Sequence, residues 1–161
     1  MASDKLITYS MEQTQADIDS IYRMVKRSDF VPNYIVGIMR GGIVPAVTLS
    51  HLFKKPCIAL KWSLRDHTGR EYGILMDTIV QKATSEGKKF LIVDDIIDSG
   101  DTLTSIKAQI NQVADPNYWS KYIKFAALWF NTSQQETVDY YINEIDRLVD
   151  QRWVVFNGWE R

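Results

Sequence analysis

FLIVDDIIDSGDT, residues 90–102, joins an apolar segment to an acidic, glycine-containing turn. Phe90, Leu91, Ile92 and Val93 form an apolar run with no polar residue alternating through it, the pattern of a parallel strand covered on both faces. Asp94 and Asp95 end that run, and Ile96 and Ile97 follow. A short polar turn, Asp98, Ser99, Gly100, Asp101 and Thr102, then leads into residues with helical spacing. In open α/β sheets a ligand docks outside the carboxyl ends of the strands, and a glycine-containing turn that opens a helix offers backbone N–H groups to a phosphate. Ser99, Gly100 and Thr102 suit that job, since glycine lets the backbone come close and the hydroxyls add donors. Two adjacent acids at a strand end also describe a solvated turn that merely caps the next helix.

The order of the whole stretch separates those readings. A buried strand, two acids, two apolar residues, a third acid and a small-residue turn resemble the phosphoribosyl pyrophosphate (PRPP) signature of the type I phosphoribosyltransferases. The resemblance implies that Asp94 and Asp95 hold the ribose hydroxyls directly or through Mg²⁺, so that both are metal-ligand candidates. It also implies that Asp98, Ser99, Gly100, Asp101 and Thr102 wrap the 5′-phosphate.

Upstream, residues 34–39 read as a second buried strand running into Arg40, Gly41 and Gly42, with a helix expected from Val44 or Pro45. Tandem glycines beside an arginine suit anion capture by backbone N–H groups and a guanidinium; an ordinary strand-to-helix turn would look similar. VGIMRGGIVPAVTLSH, residues 36–51, resembles the pyrophosphate loop of the purine-type enzymes, above all the xanthine-guanine branch. That resemblance implies pyrophosphate contacts from Arg40, Gly41 and Gly42, a catalytic role for Arg40, and a cis peptide between Met39 and Arg40.

Before this strand, Ile18, Ile21, Tyr22 and Val25 recur at helical spacing behind a capping box of Ser10 and Gln13. After it, Leu49, Leu52 and Phe53 continue the helix, with His51 read as structural or exposed, and residues 56–62 read as a third strand. Residues 63–89 read as a long polar connection with apolar patches, and connections of that length are usually functional or mobile. In the resembled family this region carries a loop that closes over the site, and Ser63 is its candidate serine.

Downstream, Leu103, Ile106, Ile110 and Val113 predict a helix ending near Pro116, and residues 122–130 a fourth strand. Ser133 and Glu136 predict the cap of a further helix carrying Val138, Tyr141, Ile142, Ile145 and Val149. Asn131 stands where purine enzymes of the family commonly place a lysine on the base's exocyclic oxygen; an amide can still donate there. The tail WVVFNGWER, residues 153–161, reads either as a strand closing the core or as an aromatic base-binding hood. It resembles a WVVFPWE-type tail, with Asn157 and Gly158 replacing one proline. The resemblance implies Trp153 as a stacking residue, Val154 as a backbone contact and Glu160 as a base contact.

Length and composition bound the rest. A chain of 161 residues, 45% of them apolar, is about one domain with one substantial core. With 19 basic against 20 acidic residues it carries no electrostatic footprint for nucleic acid or a membrane surface. The single cysteine, Cys57, excludes an internal disulfide and reads as a small buried hydrophobe. Neither a signal-peptide pattern nor an apolar run near about 18 residues is present, so the expected location is cytoplasmic.

The expectation is therefore a single α/β domain over residues 1–161. It holds a parallel sheet of about five strands flanked by helices, with a small hood from about 1–30 and 150–161. The resemblance implies a Mg²⁺-dependent purine phosphoribosyltransferase, usually a homodimer or tetramer. PRPP and a 6-oxopurine base would give nucleoside 5′-monophosphate and pyrophosphate, with Asp98 as acid or base at the purine ring. The alternatives are an enzyme for another base, a non-catalytic PRPP or nucleotide sensor, and an aspartate-phosphorylated receiver domain, which the phosphate turn disfavours.

Overall fold

The computed structural model describes residues 5–62 and 69–157. Five parallel strands form the main sheet: β2 (Tyr34–Met39), β3 (Cys57–Lys61), β4 (Phe90–Ile97), β5 (Ile123–Asn131) and β6 (Tyr140–Ile145), in the spatial order β3-β2-β4-β5-β6. Parallel neighbours require crossovers; helices supply those from β2 to β3, β3 to β4 and β4 to β5, and a loop supplies the one from β5 to β6. Helices α1 (Met11–Arg27) and α2 (Ile43–Phe53) cover one face with Ile18, Ile21, Val25, Ala46 and Leu49. Helices α3 (Gly69–Glu86) and α4 (Asp101–Asn111) cover the other with Met76, Ile79, Val80, Ala83, Leu103, Ile106 and Ile110. Strand β4 lies at the centre and feeds both layers, Phe90 and Ile92 to one and Leu91 and Val93 to the other. This two-sided burial is why its sequence is uniformly apolar.

A one-turn helix, α5 (Pro116–Trp119), precedes β5, with Asp115 as its cap. A second, two-stranded parallel sheet pairs β1 (Leu6–Tyr9) with β7 (Trp153–Phe156), bringing the two ends of the chain together. Tyr9 joins it to the main body: its ring meets Trp129 and Phe156 edge-on, and its hydroxyl donates to Asp17 at 2.6 Å. The capping box on α1 is present in both directions, between Ser10 and Gln13.

Four expectations give way. Residues 69–86, read as part of a polar connection, form α3; Met76, Ile79, Val80 and Ala83 are its buried i, i+3, i+4, i+7 stripe, and Gly87 follows it at φ 65°. The expected helix over 138–149 is instead β6. Its aromatic and β-branched run YYI favours a pleated surface. Its start is pinned on β5, where Asp139 N donates to Phe125 O at 3.0 Å and Phe125 N to the Asp139 carboxylate at 2.8 Å. Ser133 and Glu136 cap no helix; Ser133 bonds to Asn131 Oδ1, and Glu136 takes Lys107 and Thr104. Cys57 is exposed, at the first residue of the edge strand β3. Val113 lies past the end of α4 and is exposed too.

Candidate active site

The carboxyl ends of β2, β4 and β5 meet at one edge of the sheet. Strand β2 ends in a cis peptide between Met39 and Arg40, and Gly41 and Gly42 follow before α2. Gly42 is wedged between strands: a Cβ there would lie 2.4 Å from Val93 O and 2.7 Å from Ile38 O, both backbone. Because backbone at the sheet centre cannot step aside, Gly42→Ala is expected to lower unfolding free energy by about 3 kcal/mol, read from the urea midpoint. A substitution with no measurable effect would contradict the packing described.

Gly41 explains how the two loops meet. A Cβ there would fall 2.0 Å from Asp95 Oδ2, so glycine lets the Asp95 carboxylate lie directly against the Arg40 loop in the position it takes here. The face alternation also slips at this point: Val93 and Ile96 both pack toward α1 and α2, as do the consecutive Leu128 and Trp129 of β5. Asp95 N donates to Asp94 Oδ1 at 2.9 Å and Ile96 N to Asp95 Oδ1 at 2.8 Å, each acid bracing the next residue's backbone. Burial, first, and the Asp95 carboxyl beside it, second, push the Asp94 carboxyl well above the ordinary carboxylate range.

The polar turn follows. Gly100, at φ 84°, is the N-cap of α4 and, having no side chain, makes no cap bond of its own. Ser99 Oγ accepts from Asp101 N at 3.3 Å. Asp94 and residues 98–102 line a cavity of about 150 Å³ at this helix N-terminus, the place where an anion is favoured by backbone donors and helix dipole. The side chain of Asp98 does not cap the helix. It forms a two-pronged ion pair with Arg147, Nε to Oδ1 at 2.8 Å and Nη2 to Oδ2 at 3.2 Å.

Asn131, anticipated as a base contact, holds the polar turn and the loop after β6. It is 5% exposed; its Nδ2 donates to the Asp98 carbonyl at 2.8 Å, and its Oδ1 accepts from Ser133 N, Ser133 Oγ and Arg147 N. Such an amide braces the turn from behind and has no accepting capacity left over. Trp153 is 61% exposed at the start of β7, whereas the Val154 side chain is buried and its residue pairs with Ile7. Ser63 and Glu160 lie outside the described residues.

Sequence reading missed Arg147 and Gln134, and gave Glu136 a helix-capping role. Gln134 packs its amide over Gly100, where a Cβ would meet its Oε1 at 2.5 Å, and Glu136 ties the same loop to α4 through Lys107 at 2.9 Å. Had 140–145 been read as a strand, the loop after it, with Arg147, would have fallen on the edge that carries Asp98.

Residues 10–159 match the phosphoribosyl transferase domain model. A xanthine-guanine phosphoribosyltransferase from Idiomarina loihiensis is 28% identical over 125 residues, covering 76% of this chain and 68% of that protein. Among solved structures, the purine phosphoribosyltransferase from Pyrococcus horikoshii aligns with a TM-score of 0.69 at 21% identity, over 98% of this chain and 95% of that one. The xanthine-guanine-hypoxanthine phosphoribosyltransferase of Helicobacter pylori gives 0.64 at 21%, over 92% and 88%. At these identities the structural likenesses speak for the fold, and the domain match for the lineage: the chain belongs to the phosphoribosyl transferase domain family.

Proposed function

We propose that this phosphoribosyltransferase transfers the phosphoribosyl group of PRPP to a 6-oxopurine base, releasing pyrophosphate and a nucleoside 5′-monophosphate. One observation carries the reading: the acid pair, the turn at the α4 N-terminus and the Arg40 loop converge on one sheet edge, with Asp95 seated against Gly41. Xanthine-guanine and purine enzymes among the similar proteins support the choice of base class.

The roles follow from chemistry. The turn from Asp98 to Thr102 holds the 5′-phosphate at the α4 N-terminus, and Asp94 and Asp95 take the ribose hydroxyls. The acid pair also fits Mg²⁺. Two crowded carboxylates, one with its charged form strongly disfavoured, gain from a hard cation, and Mg²⁺ uses one or two carboxylates and completes its shell with water and substrate oxygens. When bound, the ion would neutralise charge on the departing pyrophosphate. As C1′ becomes cationic, Arg40 and the Gly41 and Gly42 amides stabilise the leaving group. Asp98 exchanges the proton of the purine ring nitrogen; a carboxylate has about four lone-pair sites, and Arg147 uses two. Trp153 stacks on the base, the Val154 backbone and Glu160 meet its edge, and the β1–β7 sheet acts as the hood of a single domain.

A panel of hypoxanthine, guanine, xanthine and adenine with PRPP and Mg²⁺, followed by pyrophosphate release, tests the base class. At least one 6-oxopurine is expected to turn over more than about tenfold faster than adenine, a ratio within reach of one hydrogen-bonding difference. Turnover with adenine alone would overturn the assignment. Arg40→Ala is expected to lower kcat about 100-fold while base affinity stays within about twofold, since the leaving charge is largest in the transition state. Equal losses in both would remove Arg40 from the pyrophosphate role.

A further inference from the structure

Nothing in the chemistry above calls for a cation on Asp98, yet the structure spends an arginine there. Arg147 lies in the loop between β6 and β7, and its side chain is only 17% exposed against 34% for Asp98. A guanidinium so far from water is tolerated when its donors are taken. Nε and Nη2 go to the two oxygens of Asp98, and Nη1 goes to the carbonyls of Arg152 at 2.5 Å and Asp150 at 3.5 Å. The backbone closes a circuit: Arg147 N donates to Asn131 Oδ1 at 3.2 Å, and Asn131 Nδ2 donates to Asp98 O at 2.8 Å. Asp98 is thus gripped at both carboxylate oxygens and at its main-chain carbonyl.

The grip also reaches the other wall of the base site. Arg152, whose carbonyl Arg147 holds, directly precedes Trp153, and its own guanidinium is tied to Asp150 at 2.8 Å. One side chain therefore links the acid that meets the ring nitrogen to the segment that carries the stacking face. A two-pronged fork fixes the plane of a carboxylate, which a single donor does not.

We propose that Arg147 is a positioning residue of the transfer reaction, aiming the Asp98 carboxylate at the base and setting its relation to Trp153. This rests on the purine phosphoribosyl transfer proposed above. Arg147 need not touch substrate; it acts through Asp98.

A double-mutant cycle tests it, with Arg147→Met, Asp98→Asn and the two combined, assayed with the 6-oxopurine that the wild-type protein uses best. Arg147→Met is expected to lower kcat about tenfold with the PRPP dissociation constant within about twofold of wild type, and Arg147→Lys to recover part of the loss. In the Asp98→Asn background the same Met substitution should change kcat less than about twofold, because its target is already gone. A tenfold loss in both backgrounds, or parallel losses of kcat, PRPP affinity and melting temperature, would overturn the proposal and leave Arg147 a structural tie. Should Arg147→Met fail to fold, Arg147→Lys in both backgrounds supplies the cycle. Wild-type protein that releases pyrophosphate with no base would instead overturn the purine-transfer reading itself, and the Arg147 role with it.

Discussion

The double variant Asp94→Asn, Asp95→Asn is expected to show no PRPP binding by calorimetry while melting no lower than the wild-type protein. The two halves have one cause. Asp94 is half-buried beside Asp95, and desolvation together with that neighbouring carboxyl pushes its own carboxyl well above the ordinary range. In the unfolded chain that carboxyl loses its proton near pH 4. In the fold it does so at higher pH, so the penalty on the native state grows as pH rises through that interval and is fully present above it. Asparagine carries no such charge, and its side-chain oxygen can still accept from the next backbone N–H, as Asp94 and Asp95 do. Any gain in melting temperature should therefore be present at neutral pH and vanish below pH of about 4. Unchanged PRPP affinity, or a variant melting far below wild type, would contradict the assignment of these acids to ligand binding.

The second large effect is expected at Asp98. Asp98→Asn should reduce kcat roughly 100-fold or more while PRPP binding stays within a fewfold of wild type, since it removes proton transfer and keeps shape. The rival explanation, a helix cap, is already answered by geometry, because Gly100 is the cap and Asp98 faces Arg147. The substitution does weaken that ion pair. At this partial exposure the pair is worth about 1 kcal/mol, or roughly 3 °C of melting temperature for a chain of this size, too little to explain a 100-fold loss of turnover. Turnover within a fewfold of wild type would remove Asp98 from the mechanism.

What could be read from the residues follows a physical divide. Strands β2 and β4 are buried on both faces, so their apolar runs announce themselves, and the turn at 98–102 is contiguous and chemically specific. Between residues 63 and 89, glycines and charges masked a helix whose buried stripe, Met76, Ile79, Val80 and Ala83, was regular throughout. At 138–149 the spacing of Val138, Tyr141, Ile142 and Ile145 satisfied a helix as well as a strand, and pairing with β5 decided it. Arg147 was invisible for a different reason: it meets Asp98 across 49 residues, through a topology that the misread strand concealed. Asn131 shows the limit of position matching, because its amide oxygen and one of its two amide N–H donors are already taken by three neighbouring segments.

The most direct test of the central claim is the stoichiometry of products when PRPP and Mg²⁺ are incubated with the protein, with and without hypoxanthine or guanine. Pyrophosphate and nucleoside 5′-monophosphate are expected in equal amounts, dependent on the base. PRPP that binds but is not consumed, or pyrophosphate released at the same rate without a base, would contradict it.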